Sequence, residues 1–306
     1  MISDRNCTVV ITTFFSDEKL NFCLSNIPET FPIIVIDNGC DHSKKFFYEK
    51  KYQNLKYIIP KENLGVPRSY SYAYSLVKTR YMFNTQPDVT IRKNCIENLL
   101  NSYDHYSNAA ILSPIIFHEG KYLVDGDYKI LKIKNKKLIN TNINLENYFY
   151  ANPPAGDLCV DAVTGTAMLI DTYKLKEIKD WDTNIFNYYE DMDLCLRLRI
   201  CGYEIIKIKN AEVDHQAFSS HDLKFEDQLN FSRNWHYSWS SFYFFKKHIG
   251  KIYAYRYGLK LFIASFFKCF FYFCIFKKKY KTHLAKSWGV LYSMLNFSPS
   301  YRPRIK

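Results

Sequence analysis

The chain has 306 residues, enough for one large domain or a domain with an appendage. Its nine cysteines form no C-x-x-C pair and no Cys/His cluster at zinc spacing, which excludes a structural zinc module and points to reduced, mostly buried thiols in a cytosolic setting. The net charge of +12 is uneven: of 42 Lys and Arg residues, fourteen lie between Tyr243 and Lys306, where no Asp or Glu occurs, so the first 242 residues hold 28 basic against 30 acidic side chains.

The opening MISDRNCTVVITTF has no basic region followed by an apolar run and a small-residue cleavage site, so no secretion signal is expected. Cys7–Thr13 is a β-branched apolar run and predicts a buried strand. A helix pattern follows through Asp17–Ser25, and Pro32-Ile33-Ile34-Val35-Ile36 predicts a second buried strand. Strand, helix and strand within about thirty residues read as a βαβ unit whose functional loops lie at the strand C-termini. Asp37-Asn38-Gly39 sits at such an end and is also a good turn.

Tyr57-Ile58-Ile59 predicts a short third strand. The loop Glu62-Asn63-Leu64-Gly65 then enters a helix running to about Val77, with Pro67 in its first turn and Arg68 placed to meet an anionic group. Tyr81–Asn84 predicts the next strand, ending in Thr85-Gln86-Pro87-Asp88-Val89, followed by a helix from Ile91 to Tyr103. Asp37 and Asp88 thus recur at one edge. Ala109–Ser113 predicts another strand. Residues 115–157 alternate weakly around Asp125-Gly126-Asp127 and are rich in Lys and Asn, which predicts an insertion of hairpin and loop. Val160–Asp171 predicts a strand kinked at Gly165, where the missing side chain admits a ligand or backbone.

Tyr188-Tyr189-Glu190-Asp191-Met192-Asp193 places three acids in four positions ahead of an amphipathic helix that Gly202 stops. Glu190 and Asp191 fall at the helix N-terminus, where unpaired N–H groups favour carboxylates, and Asp193 can pair with Arg197 one turn on. The aromatic neighbours favour a raised pKa and a general-base role, although an acidic cap on a core helix explains the same pattern. Glu204–Ile208 and Ala211–His215 predict two more strands, with His215 closing the second.

In order, Thr12-Thr13-Phe14, Val35-Ile36-Asp37-Asn38-Gly39, Glu62-Asn63-Leu64-Gly65, Pro87-Asp88-Val89, Thr164-Gly165-Thr166-Ala167, Tyr189-Glu190-Asp191-Met192-Asp193, Gly202-Tyr203 and His215 resemble the family 2 glycosyltransferases. The likeness covers roughly residues 7–240 and is greatest to the rhamnosyltransferase-like members of bacterial O-antigen and capsule assembly. The resemblance implies an α/β GT-A fold, Rossmann-like, with a mostly parallel central sheet flanked by helices. It also implies a nucleotide-sugar donor (dTDP-, UDP- or GDP-linked), inversion at the anomeric carbon and a divalent cofactor, Mg²⁺ or Mn²⁺. By the same likeness Asp191 is the catalytic base, with Glu190 or Asp193 orienting the acceptor. Asp88 and His215 belong to the metal and diphosphate, and Asp37 to the base. Thr12, Asn38, Asn63, Gly65, Arg68, Gln86 and Gly165 fall along the donor. The sequence departs from the family at Gln86, where an acid or Asn is usual, and at Tyr70 or Ser71, where an Asn often stands.

Residues 1–240 are therefore expected to form the nucleotide-sugar-binding and catalytic domain, and 241–306 a membrane-associating helical tail. Leu259–Phe276 is apolar on nearly all sides, is interrupted by Lys260 and Lys268, and precedes Lys277-Lys278-Lys279-Tyr280-Lys281. A spanning helix needs about twenty apolar residues, and a lysine near the centre disfavours it, so an interfacial helix or hairpin against anionic headgroups is expected. A single span and a core helix are the alternatives. The resulting expectation is a peripheral enzyme on the cytoplasmic face of the membrane, serving a glycan or polyprenyl-diphosphate-linked acceptor. The competing reading is a basic nucleic-acid- or membrane-binding protein of the same fold without transferase activity; the continuous apolar block fits lipid better than nucleic acid. A dinucleotide-binding oxidoreductase is disfavoured, since no G-x-G-x-x-G follows the first strand.

Overall fold

A computed structural model describes residues 6–123, 132–134, 137–140, 152–216 and 225–303. Four strands form the parallel half of its main sheet: β1 (Cys7–Thr13), β2 (Ile33–Asp37), β3 (Leu55–Ile58) and β4 (Tyr81–Thr85), in spatial order β3-β2-β1-β4. The helices α1 (Asp17–Ser25), α2 (Lys44–Lys51) and α3 (Gly65–Leu76) are the crossovers that parallel strands require. Alternation along β1 explains the two cores. Val9 and Ile11 join one apolar cluster with Leu20, Phe31 and Phe83, while Val10 joins a second with Ile36, Tyr70 and Met82.

Beyond β4 the sheet becomes mixed. β11 (Ala167–Asp171) runs antiparallel to both β4 and β6 (Ala109–His118), and β12 (Glu204–His215) runs parallel to β6. Three short strands pair antiparallel at the margins: β5 (Val89–Ile91) and β10 (Leu158–Cys159) on β12, and β7 (Lys121–Tyr122) on β6. β8 (Lys132–Lys134) and β9 (Lys137–Asn140) form a separate ribbon, consistent with the hairpin expected in 115–157. The Asp125-Gly126-Asp127 turn and most of the Lys/Asn-rich stretch lie outside the described residues. The remaining helices are α4 (Cys95–Ser102), α5 (Thr172–Glu177), α6 (Glu190–Ile200), α7 (Glu226–His248), α8 (Lys251–Cys274) and α9 (Tyr280–Met294).

Three local expectations change. The helix predicted from Ile91 begins at Cys95, because Val89–Ile91 is taken into the sheet as β5. The strand predicted over Val160–Asp171 survives only from Ala167, and Thr164-Gly165-Thr166 turns instead of kinking a strand. The two strands predicted at 204–208 and 211–215 are one, with a register shift between Ile208 and Glu212. The 240/241 boundary falls inside α7, whose Phe242, Phe244 and Phe245 are buried in the second core together with Ala254 of α8 and Val290 of α9. The helical extension is present, and it packs on the α/β body as three helices.

Candidate active site

Parallel strands deliver their C-terminal loops to one edge, and the candidate residues collect there. A cleft of about 490 Å³ is lined by Thr12 after β1, Asn38 after β2, Asn63 and Gly65 before α3, and Gln86 and Asp88 after β4, among others. Gly165, Glu190, Asp191 and His215 complete the predicted set on its wall. Ten of the twelve predicted residues thus meet, and Asp37 and Arg68 do not line the cleft. Asp37 is buried, with its Oδ2 accepting the Tyr57 hydroxyl at 2.9 Å and its Oδ1 the Gly39 N–H at 2.8 Å. Arg68 turns aside and donates through Nε to the Thr183 carbonyl at 3.0 Å.

The loop entering α3 is fixed by side-chain amides. Asn38 accepts the Leu64 N–H through Oδ1 at 2.9 Å and donates through Nδ2 to Ser69 Oγ at 2.9 Å; Asn63 Oδ1 accepts the Gly65 N–H at 2.9 Å. Gly65 has φ +74°, and a Cβ there would stand 2.3 Å from the Phe186 carbonyl oxygen. Glycine is required at this point on both counts. The close approach lets the Val66 N–H reach that carbonyl at 2.9 Å, which brings the segment before α6 over the start of α3.

That segment is strained. Tyr188 and Tyr189 both hold positive φ, 67° and 66°, at about 1–3 kcal/mol each for non-glycine residues. Tyr237 of α7 braces both rings at 5.7 and 5.4 Å, and Phe244 braces Tyr189 at 5.3 Å. The strain sets the first turn of α6 against the cleft. Asp191 accepts the Gly165 N–H through Oδ2 at 3.1 Å and the Met192 N–H through Oδ1 at 2.8 Å, so its carboxylate orientation is fixed. Beside it Glu190 is enclosed, and burial together with the Asp191 charge pushes its carboxyl up to about 8. Glu190 Oε2 has no hydrogen-bond partner among the described residues.

Asp88 and His215 are brought together by β5. Its antiparallel pairing sets His215 opposite Val89, and the Gln216 N–H reaches the Asp88 carbonyl at 3.0 Å. Arg92 clamps the pairing through two 2.6 Å bonds to the Asp214 carboxylate and a further bond to Glu212. His215 Nε2 then lies 3.6 Å from Asp88 Oδ2. Burial raises the Asp88 carboxyl, but the adjoining His215 and Lys19 outweigh burial and hold it below its usual value. Asp88 Oδ1 and His215 Nδ1 are buried without partners among the described residues. Those residues contain no group of three His, Cys, Asp or Glu that could hold a metal ion. A two-residue donor set still fits Mg²⁺ or Mn²⁺, which are held by one or two carboxylates plus phosphate oxygens and water.

Several lining residues lie outside the predicted set. His118, whose Nδ1 is 2.8 Å from the His215 carbonyl, comes from the end of β6. Leu229, Ser232, Arg233 and Tyr237 come from α7. Their spacing of three and four residues is the readable signal of one helix face; nothing comparable marks His118.

Sheet order, crossover helices and the strand-end cleft define the GT-A glycosyltransferase fold. Similar solved structures include GalNAc-T7 with UDP, GalNAc and Mn²⁺, at TM-score 0.52 and 13% identity over 76% of this chain and 51% of that one. The mannosyltransferase PcManGT from Pyrobaculum calidifontis, in complex with GDP-Man and Mn²⁺, is similar at TM-score 0.52 and 13% identity, over 78% of this chain and 64% of that one. The chain therefore spans about half of the first structure and under two thirds of the second. Residues 8–158, just under half of the chain, match the model of glycosyl transferase family 2. No curated protein is significantly similar to the chain.

Proposed function

We propose that the chain is an inverting glycosyltransferase that moves a hexose or deoxyhexose, rhamnose first among them, from a nucleoside-diphosphate sugar to a hydroxyl of a lipid-linked or growing cell-surface glycan. The observation that carries this reading is the convergence of Asp191, Asp88 and His215 on one cleft of about 490 Å³. Small-molecule sites commonly occupy about 300–1,000 Å³. The two similar structures, which hold Mn²⁺ with UDP or GDP-Man, support a nucleotide-sugar donor. Rhamnose and the O-antigen or capsule setting rest on the sequence resemblance.

Asp191 takes the proton of the acceptor hydroxyl as that oxygen attacks the anomeric carbon from the face opposite the diphosphate. One carbon–oxygen bond forms, the bond to the diphosphate breaks, and the configuration inverts without a covalent enzyme intermediate. The Gly165 and Met192 N–H groups aim the carboxylate. Burial and the Asp191 charge favour the protonated form of Glu190, which can donate a hydrogen bond to the acceptor while leaving the base role to Asp191. Asp88 and His215 would hold Mg²⁺ or Mn²⁺, which when bound offsets the negative charge of the departing diphosphate. Thr12, Asn38, Asn63 and Gln86, which line the cleft, are assigned to the donor, and Ser232, Arg233 and Tyr237 of α7, which line the same cleft, to the acceptor.

The test is hydrolysis and transfer with dTDP-, UDP- and GDP-sugars, comparing wild type with Asp191→Asn. General-base loss lowers turnover about 10²–10⁴-fold. No turnover of any donor by the folded wild-type protein, or equal turnover by the variant, overturns the proposal.

A further inference from the structure

We propose that the exposed face of α8 docks on an anionic lipid bilayer and holds the mouth of the cleft at its surface. Ala254, Gly258 and Ser265 mark the buried side of α8; a Cβ on Gly258 would meet Phe242 of α7 and Met294 of α9. On the opposite side Ile252, Leu259, Ile263, Phe266, Phe270 and Phe273 recur at spacings of three, four and seven, each 45–75% exposed. Phe276, in the turn after α8, is 94% exposed. A helix long and apolar enough to cross a membrane thus lies along the body by one face. Lateral packing leaves it in the plane of a surface, as an interfacial helix lies.

Charge selects the occupant. Lys260 is exposed beside the stripe, Lys268 is exposed on the side of α8 that faces His283 of α9, and Lys277, Lys278 and Lys279 crowd the C-terminal end. No acid occurs from Tyr243 to Lys306. Two copies pairing through this stripe would set basic flanks against each other, with no carboxylate on α8 or α9 to relieve them. Anionic headgroups complement the same arrangement.

The stripe also points the cleft. Lys281 pairs with Asp227 at 3.0 Å, Gly289 abuts the Trp235 backbone, and Lys246 bonds Asn296, so α9 runs beside α7 in the same direction. The lysine-rich turn at 277–279 therefore adjoins the first turns of α7, from which Leu229, Ser232 and Arg233 line the cleft. A bilayer against this face brings the cleft opening to the depth where the sugar of a lipid-carried acceptor emerges. That last link rests on the transferase reading; the docking itself does not.

The full chain is sedimented, without donor, with vesicles of phosphatidylcholine alone and with about one third phosphatidylglycerol. Binding is expected to the anionic vesicles, to weaken as salt rises, and to fall at least about tenfold in Ile263→Asp/Phe270→Asp and in Lys277→Glu/Lys278→Glu/Lys279→Glu. Neither Ile263 nor Phe270 is buried, so the melting temperature and donor hydrolysis in solution should match wild type and report folding independently. Equal binding by wild type and both variants overturns the proposal. So does a wild-type dimer that the aspartate variant dissociates while vesicle binding is absent. Vesicle binding without turnover of any donor sinks the transferase reading alone.

Discussion

Lys247, in the last turn of α7, places its Nζ 2.5 Å from Asp193 Oδ1, in the first turn of α6. His248 Nε2 reaches the same oxygen at 2.7 Å, and Arg197 Nε reaches Oδ2 at 2.7 Å. The helix that begins with Glu190 and Asp191 is thereby pinned to a helix whose other end walls the cleft. Catalytic candidates and the aromatic extension are one mechanical unit, although 54 residues of sequence separate Asp193 from Lys247.

Removing one partner of a buried ion pair leaves the others uncompensated, at about 3–5 kcal/mol. Asp193→Asn is expected to lose stability of that order in a denaturant melt. The pH dependence has a defined sign. Burial raises the Asp193 carboxyl, but His248, Arg197 and Lys247 outweigh burial and hold it well below its usual value. A depressed folded pKa gives stability that is complete above the unfolded value near 4 and is lost as pH falls below it. Wild type should therefore lose melting temperature on acidification from about pH 5 to 3, and Asp193→Asn should start lower and lose less. Parallel acid limbs in the two proteins would refute the latch.

Glu190 has the opposite sign. Its folded pKa is raised from 4.5 to about 8, so between those values unfolding releases a proton and stability declines as pH rises. Glu190→Gln keeps the shape and cannot ionise. It should melt near wild type at pH 5 and above it at pH 8.5, by about 1–3 kcal/mol for relief of a buried charge. A wild-type melting temperature as flat as the variant's across that range would show that Glu190 ionises freely.

Legibility in the sequence followed sequence distance. β1 and β2 were readable because β-branched apolar runs of five to seven residues fit little besides buried strands. The turn Asn63-Leu64-Gly65 and the acids at 190 and 191 were readable because their partners are local or their residue types rare. The antiparallel β5–β12 pairing was not. Val89-Thr90-Ile91 looks like a helix entry until β12, more than 120 residues on, takes it as an edge. Arg197 as a partner for Asp193 follows from helical spacing, whereas Lys247 and His248 follow only from tertiary packing. Asp37 is a mixed case: its strand-end position was readable, whereas the Tyr57 hydroxyl bonded to its carboxylate was not.

Metal dependence tests the Asp88–His215 pair. Lewis-acid stabilisation of a leaving group is worth several kcal/mol, so chelation should depress transfer by more than about a hundredfold, with recovery on Mn²⁺. Asp88→Asn removes the charge at the paired site and should shift the Mn²⁺ activation curve to higher concentration, leaving the melting temperature in chelator little changed. Full turnover in chelator would remove the cation from the proposed reaction.

Gly65 and Gly165 should respond in opposite ways to alanine. At Gly65 a Cβ meets the Phe186 carbonyl at 2.3 Å and the ring at 2.5 Å, at a φ of +74°. Left-handed backbone costs an alanine about 1–2 kcal/mol and overpacking about 1–3 more. Gly65→Ala should therefore lose roughly 2–5 kcal/mol of stability. It should also displace the segment that stacks Phe186 on His236 at 4.4 Å and leads into Asp191, so turnover falls with it. At Gly165 nothing stands within 4 Å of a Cβ and the backbone is ordinary, so Gly165→Ala should fold within about 0.5 kcal/mol of wild type. Its N–H still serves Asp191, and the added methyl enters cleft space, so the expected loss is in substrate KM at unchanged melting temperature. Equal stability losses in the two variants would show that the close contact of Gly65 with Phe186 does not set the entry to α6.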